Sequence, residues 1–513
     1  MTLLIRGFML DAARLPEPLP YYRQVIDFCA KWGFNAILLR VADDQGSALH
    51  FASHPELLTH KHAFTPAELG DLANYAAARG IDLIPELEAF GHTGFITRSQ
   101  QHSHLRDEHP DGIQLFTGIQ PLHDESMSIL ADLINEVAAI FPSPYLHLGC
   151  DEVNWGGSDY SAALIAARGR VGVWTEHLNQ LNALARQAGK EMLIWADHVL
   201  VHEPEILSGL SREIILVDWN YWDSDPQRAA PGAHRSLSIA GAAQRALEAG
   251  FRLIGAPALT WCRWNLRPGA SQLANIDAFA GYYHTLQHPA NLGVIVTNWV
   301  PSRFLPGALW DGLAYAGEAL NADLAGRAGF ERLVGELFGA PYTSDWADFF
   351  YNLYAEMRPR QPCASPNIAA FQSPIWSSLS DLLALQTAAP TAPARPKLAA
   401  LLRQAERLAQ SVQRCPDDFN SLRQSLALLE HIEWRAEPAS VAAASGGKSG
   451  PNPALLLQIA EQDAELLADY TLAWDGLRFA GCPSKHALLP ALSPADQPLY
   501  ALRLAARFSA GLV

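Results

Sequence analysis

The chain has 513 residues, 49% hydrophobic and 18% charged, so it can bury a large core and we expect two domains. Its formal net charge of −16 argues against nucleic acid or an anionic membrane as a partner, because both require a basic face. The 6 cysteines show no Cys-x-x-Cys spacing and no stretch of about 18 apolar residues occurs, so we expect neither a disulfide scaffold nor a transmembrane helix.

The first segment, MTLLIRGFMLD, lacks the long apolar core of a secretory signal, so we interpret it as a strand and expect a cytoplasmic protein. From there to about Asp323, β-rich runs alternate with helical patterns such as Tyr21–Trp32 and Pro66–Arg79, which is typical of βα units around a parallel sheet. The predicted strands are Leu3–Asp11, Phe34–Asp43, Ile81–Phe90, Tyr145–Glu152, Glu191–His198, Glu213–Trp222, Phe251–Trp261 and Leu292–Val300. Eight such units favour a closed (β/α)8 TIM barrel, an α/β fold, over residues 1–325.

After about Leu324 the strand pattern stops and helical periodicity takes over, as in Pro396–Arg414 and Asp417–Trp434. We therefore predict a mainly helical C-terminal domain over residues 326–513. Three roles for it remain open: it could buttress the barrel, form a homodimer, or send a residue into a neighbouring site.

Ionisable side chains follow the predicted strands at their carboxyl ends, where barrel active sites form. The clearest case is Asp151-Glu152, which ends the apolar run that begins at Tyr145. Successive side chains on a strand point to opposite faces, so these two carboxylates are poorly placed to flank one bond as an ordinary acid and nucleophile. Two different roles are therefore expected for them.

Five segments together resemble glycoside hydrolase family 20, the β-N-acetylhexosaminidases, in order and spacing. They are Arg6-Gly7-Phe8, ADDQG at 42–46, HPEL at 54–57, PELEAFGHT at 85–93 and YLHLGCDEV at 145–153. The resemblance covers residues 1–325, and the GCDEV form is similar to the hexosaminidase D-like branch. It implies exo-acting removal of terminal β-linked GlcNAc or GalNAc from small glycans or glycoconjugates. It also implies a retaining, substrate-assisted mechanism through an oxazolinium ion, with no cofactor and no metal ion.

The resemblance implies catalytic roles for four residues. Glu152 would be the general acid and then the base, while Asp151 would hold the acetamido N–H of the sugar. His92 would support the acid in a relay with Asp43, in preference to Asp44, which would cap its loop. A structural role for His92 stays open, as does an N-cap or surface ion pair for the two carboxylates.

The resemblance also implies a set of sugar-binding residues. Arg6 would bind ring hydroxyls, with an ion pair to Glu88 as the alternative. An aromatic box and stacking floor would come from strand-end residues, namely Trp195, Trp219, Trp261 and Trp299, with Tyr221 bonding the acetamido carbonyl. Where many relatives carry a glutamate this chain has Pro301, so Arg303 or Asn298 would substitute, and the gluco or galacto preference stays open.

Two other functions are compatible with the sequence. A metal-dependent barrel hydrolase would use His92, His147, Asp151 and Glu152 as ligands, although no H-x-H or H-E-x-x-H motif occurs. A catalytically silent sugar-binding barrel is the second, because a fold does not dictate a function.

Overall fold

The computed structural model describes residues 3–109, 117–230, 237–260, 267–299, 301, 304–321, 326–356, 395–444 and 453–477. Eight parallel strands form the barrel: β1 (Ile5–Asp11), β2 (Ala36–Asp43), β3 (Asp82–Leu87), β4 (Tyr145–His147), β5 (Glu191–Trp195), β6 (Ile215–Trp219), β7 (Arg252–Ala256) and β8 (Asn291–Asn298). Each strand pairs with the next, and β1 pairs with both β2 and β8. The predicted closed (β/α)8 barrel is therefore confirmed.

Helices connect most of these strands. They span Leu19–Lys31, Pro66–Ala77, Asp124–Ile140, Asp159–Arg168, Arg170–Gln187, Ile239–Glu248 and Ala270–Thr285, and a further helix, Trp310–Leu320, follows β8. The first of them buries Tyr22, Val25, Ile26 and Cys29, a three- and four-residue spacing that keeps one helix face on the barrel. The second begins with a capping box in which Thr65 and Glu68 bond each other's backbone N–H.

Two insertions bear on the site. A short strand, Gly46–Leu49, turns back antiparallel on β2 and pairs with Thr59–Phe64. Between β5 and β6 the chain forms a π-helical turn, His198–His202, in place of a long helix. Both segments follow the carboxyl ends of barrel strands.

Contacts between Cα atoms divide the chain into two compact units. The first comprises Met1–Leu259, Ala274–Trp299 and Ala316–Gly326, and contains the barrel. The second comprises Thr260–Leu273, Val300–Tyr315 and Arg327–Val513, so two segments that precede the predicted boundary at 325 group with the C-terminal residues.

The second unit is helical where it is described, as the sequence predicts. Its helices include Ala328–Leu333, Ser344–Glu356, Arg395–Ala409, Pro416–Ala444 and Pro453–Leu477. Phe338, Trp346 and Phe419 form an aromatic core with ring centroids 5.3–5.9 Å apart. Within the described parts of the chain, no helix is both long and apolar enough to span a membrane.

Candidate active site

The segment after β4 leaves the strand earlier than predicted. β4 ends at His147, and Gly149, Cys150 and Glu152 adopt positive φ angles of 63°, 72° and 46°. A left-handed conformation costs a non-glycine residue about 1–3 kcal/mol and persists only where its surroundings hold it. Here the N–H of Cys150 donates to Glu88 Oε2 at 3.2 Å, and the N–H of Glu152 donates to Asp197 Oδ2 at 3.1 Å.

Because of this turn, the side chains of Asp151 and Glu152 do not point to opposite faces of a strand, and that expectation is wrong. Both carboxylates approach the same ring nitrogen of His92: its Nε2 lies 3.5 Å from Asp151 Oδ2 and 3.4 Å from Glu152 Oε2. The structure therefore brings three of the four predicted catalytic residues together. Their separate roles must come from their surroundings, because they do not point to opposite faces.

The fourth prediction, Asp43 as the partner of His92, is wrong. Asp44 Oδ2 lies 2.9 Å from His92 Nδ1, and Asp44 Oδ1 accepts hydrogen bonds from the Gly94 N–H at 2.9 Å and from the Thr117 hydroxyl. Asp43, the last residue of β2, instead contacts Arg14 Nε at 2.9 Å. Neighbouring side chains at the strand end point in opposite directions, so a shift of one residue exchanges the two roles.

His92 is held as an imidazolium. Burial disfavours the charged ring, but the carboxylates of Asp151, Asp44 and Glu152 outweigh burial and raise its pKa well above the ordinary value. Both ring nitrogens then carry protons. One N–H points to Asp44 and the other to the Asp151 and Glu152 carboxylates.

Asp151 and Glu152 differ in exposure. The Asp151 side chain is 9% exposed and the Glu152 side chain 34%. Burial by itself raises the pKa of Asp151, but the charges of His92 and Arg40 and a hydrogen bond from Glu88 hold that pKa below its ordinary range. Asp151 is therefore a buried anion, whereas the Glu152 side chain beside the same histidine is partly exposed.

Beneath Asp151 lies a buried charge network that the sequence analysis did not identify as part of the site. Arg40 Nη1 contacts Glu86 Oε1 at 2.6 Å and Glu88 Oε1 at 2.7 Å. Burial raises the pKa of Glu86 to about 7 and that of Glu88 well above its ordinary value, since one guanidinium does not balance these acids and Asp151. The raised pKa of Glu88 favours its neutral carboxyl, which is the form that donates to Asp151. The sequence signal was available, because PELE places two glutamates at the end of β3.

The prediction that Arg6 binds the sugar is wrong, and so is its alternative pairing with Glu88. Arg6 lies at the amino end of β1, where its Nε donates to the Gly33 carbonyl at 2.8 Å and its Nη1 to the Leu3 carbonyl at 2.7 Å. The carboxylates lie at the other end of the barrel. Arg14, which follows β1 at its carboxyl end, is at the site instead, with its guanidinium carbon 5.1 Å from the ring centroid of Trp299.

An aromatic wall forms beside the carboxylates. The Trp299 Nε1–H donates to the Tyr221 hydroxyl at 2.7 Å, and the Tyr221 and Trp219 ring centroids are 5.1 Å apart. Trp195 is 1% exposed, donates to Glu86 Oε1 at 2.8 Å and packs with its ring centroid 5.7 Å from that of Trp299, so it supports Trp299, and its contact with a sugar stays a prediction. Trp222, 5.9 Å from Trp219, joins the wall although it was not predicted as a site residue. The predicted contacts Trp261 and Arg303 lie outside the described residues.

The four-residue metal set considered from the sequence does not assemble. Donor atoms of His92, Asp151 and Glu152 lie within 4.8 Å of one another, but His147 is not among them. Its Nδ1 accepts the Gly149 N–H at 3.0 Å, its ring packs 4.5 Å from that of Trp195, and burial lowers its pKa to about 3. His147 is a structural residue of the barrel interior.

Part of the chain is similar to known proteins. Residues 5–245 match the model of the glycosyl hydrolase family 20 catalytic domain. A β-hexosaminidase of Vibrio furnissii is 29% identical over 42% of this chain and 39% of its own length. Hexosaminidase D of Bos taurus is 27% identical over 29% of this chain and 41% of its own length. The chain thus spans less than half the length of these relatives.

A solved structure shares the fold. The crystal structure of a β-N-acetylhexosaminidase has a TM-score of 0.51 and 19% identity, covering 66% of this chain and 78% of that one. The segment matched by the family model holds β1 to β6 and all the acidic residues of the site described above. Residues 5–245 of the chain are therefore similar to the glycoside hydrolase family 20 catalytic domain.

Proposed function

We propose that this chain is an exo-acting β-N-acetylhexosaminidase that removes terminal β-linked GlcNAc or GalNAc by a retaining, substrate-assisted mechanism. The observation that carries the proposal is the arrangement around His92. Asp151 and Glu152 approach the same Nε2 atom, one as a buried anion and the other half-exposed. The names of the matched relatives support the sugar class.

Two carboxylates on one side of a single imidazole do not attack and protonate an anomeric centre from opposite faces. The nucleophile must then come from elsewhere, and the 2-acetamido group of the sugar supplies one. Its carbonyl oxygen bonds C1 while the bond from C1 to the leaving oxygen breaks, and Glu152 gives its proton to that oxygen. The product of this step is an oxazolinium ion, which carries a positive charge.

Asp151 suits the other half of this step. As a buried anion it accepts the acetamido N–H, orients the carbonyl oxygen towards C1 and stabilises the charge that develops on the ring. Water then adds to C1, Glu152 takes a proton from it, and the acetamido group is released. Two inversions at C1 leave the β configuration unchanged.

Arg14 and the aromatic wall are the proposed sugar contacts. A planar guanidinium donates paired hydrogen bonds to neighbouring hydroxyls, and Trp299 with Trp219 offers flat apolar faces for a pyranose ring. Arg14 is fixed for this role by Asp11 at 3.2 Å and Asp43 at 2.9 Å. Trp261 and Arg303 remain predicted contacts.

The test is turnover of three aryl β-glycosides, namely the N-acetylglucosaminide, the N-acetylgalactosaminide and the glucoside. We expect hydrolysis of one or both acetamido sugars and a preference of about 100-fold or more over the glucoside. Asp151→Asn should reduce that preference, whereas the matched surface change Asp159→Asn should leave it intact. Sugar binding without turnover would instead identify a silent barrel, and an unchanged preference in Asp151→Asn would remove the orienting role.

A further inference from the structure

A second group of histidines and carboxylates lies apart from His92. His54 and Glu56 are in the segment between Gly46–Leu49 and Thr59–Phe64, and His102 follows the short helix Gly94–Thr97. Glu125 and Asp132 lie on the helix Asp124–Ile140. We name these five residues the His54 cluster. His54 and Glu56 belong to the HPEL segment, to which the proposed reaction gives no role.

The inner atoms of the cluster converge on one point. His54 Nδ1 lies 2.9 Å from Glu56 Oε1, and His102 Nε2 lies 2.8 Å from the same oxygen. One ligand atom from each of the three residues falls within 4.8 Å of the others. Neighbouring ligands bound about 2.1 Å from a metal ion are themselves about 3 Å apart, so this spacing needs little adjustment to bind one.

The outer ring nitrogens also face carboxylates. His54 Nε2 lies 3.2 Å from Asp132 Oδ2, and His102 Nδ1 lies 3.1 Å from Glu125 Oε1. Each of the two rings faces a carboxylate at both of its nitrogens. A neutral imidazole carries a single N–H, so it donates to one of these carboxylates and directs the lone pair of its second nitrogen at the other carboxylate. With the proton on the outer nitrogen, both lone pairs point at the Glu56 oxygen, an arrangement that a shared cation stabilises.

This pattern is the one by which proteins orient metal-binding histidines. A ligating histidine generally donates its other N–H to a carboxylate, which fixes the tautomer and the ring plane. In the His54 cluster both histidines have such a partner. Their side chains are 15% and 12% exposed and that of Glu56 is 22% exposed, so the inner atoms are sheltered but reachable from solvent.

We propose that His54, Glu56 and His102 bind one divalent transition-metal ion of the zinc type, with Asp132 and Glu125 orienting the two rings. Two imidazoles and one carboxylate suit Zn²⁺, whereas Mg²⁺ and Ca²⁺ prefer oxygen ligands alone. The site shares no residue with the proposed catalytic group. The ion joins two segments that follow β2 and β3, which already meet where the Leu58 N–H donates to the Phe95 carbonyl at 3.0 Å.

The experiment uses the full chain, stripped with a chelator and titrated with Zn²⁺ alone by calorimetry. We expect binding at micromolar concentration or tighter, and a rise in the thermal midpoint on the order of 4 °C or more at saturation. His54→Gln and His102→Gln should each weaken this binding event at least about 10-fold. The exposed His62→Gln serves as the matched control and should leave it unchanged.

X-ray absorption of the zinc-loaded, unmodified chain keeps the test independent of any folding defect in the variants. Scattering from two imidazoles with an oxygen shell and no sulfur is the expected spectrum. Zinc binding that is equally strong in His54→Gln and His102→Gln would overturn the proposal, as would a spectrum without histidine scattering. Neither readout depends on glycosidase activity, so failure of the proposed reaction would not affect this test.

Discussion

Asp44 Oδ2 lies 2.9 Å from Nδ1 of His92, and this buried pair stands directly behind the two carboxylates of the site. The opposite nitrogen of the same ring contacts Asp151 and Glu152. A negative charge on Asp44 therefore reaches the reacting groups through a single imidazolium. This linkage gives Asp44 a positioning and electrostatic role that the sequence interpretation assigned to Asp43.

Asp44→Asn should lower turnover by about 10-fold or more while the protein stays folded. Removing the carboxylate also removes a hydrogen-bond acceptor that raises the pKa of His92, so the imidazolium deprotonates at a lower pH. The high-pH limb of the kcat profile should move to lower pH. A profile identical to that of the unmodified chain, measured alongside the thermal midpoint, would contradict this role.

Glu152→Gln should reduce kcat/KM, which reports the step in which the leaving group departs, by about 100-fold or more on a substrate with a poor leaving group. The loss should be much smaller for a dinitrophenyl leaving group, which departs without a proton. Comparing the two substrates separates general-acid catalysis from misfolding, because a folding defect lowers both rates equally. Equal losses on both substrates would remove the acid assignment from Glu152.

The two arginines of the first βα unit offer a matched pair. Arg14→Ala should lower kcat/KM by roughly 10- to 100-fold, because a charged hydrogen bond to the sugar is worth about 1.5–3 kcal/mol. Arg6→Ala removes bonds to main-chain carbonyls at the far end of β1, so it should lower the thermal midpoint and leave kcat/KM nearly unchanged. The reverse pattern would restore Arg6 as the sugar contact.

Glu86 makes stability depend on pH. Burial raises its pKa from 4.5 to about 7, so between these values the folded chain holds a proton that the unfolded chain has lost. The contribution of Glu86 to the free energy of unfolding is therefore present below pH 4.5 and is lost as the pH rises through about 7. In Glu86→Gln the free energy of unfolding should fall less with rising pH, and the difference from the unmodified chain should be on the order of 1–3 kcal/mol.

Urea unfolding at several pH values between 5 and 8 measures this slope, with Asp159→Asn as the control for losing a surface carboxylate. The slope of the control should match that of the unmodified chain. A slope in Glu86→Gln as steep as in the control would show that the buried glutamate is not the cause.

The sequence predicted the barrel well because many separate segments of the chain carry the strand and helix pattern. Each β-rich run and each helical pattern contributes, and an error of a few residues at one end does not alter the strand count. The residue types at strand ends likewise predicted that Asp151, Glu152 and His92 belong to one site. All three lie together in the structure.

The errors arose where one residue or one end of a strand decides the outcome. Asp43 and Asp44 are adjacent residues of the same type, so the sequence does not distinguish them, and only the direction of each side chain at the end of β2 does. Arg6 and Arg14 stand at opposite ends of β1, and the sequence interpretation chose the one inside a motif over the one at the carboxyl end. Positive φ at Cys150 and Glu152 depends on long-range bonds to Glu88 and Asp197, which local sequence does not reveal.

The central claim is that the sugar supplies its own nucleophile, and its most direct test is a change in that nucleophile. The rate of the unmodified chain should be compared on aryl β-glycosides that carry a 2-acetamido or a 2-trifluoroacetamido group. Fluorine withdraws electrons from the carbonyl oxygen, so the account predicts a fall in kcat of about 100-fold or more. Rates that agree within about 3-fold would show that the acetamido oxygen does not attack, and would contradict the account.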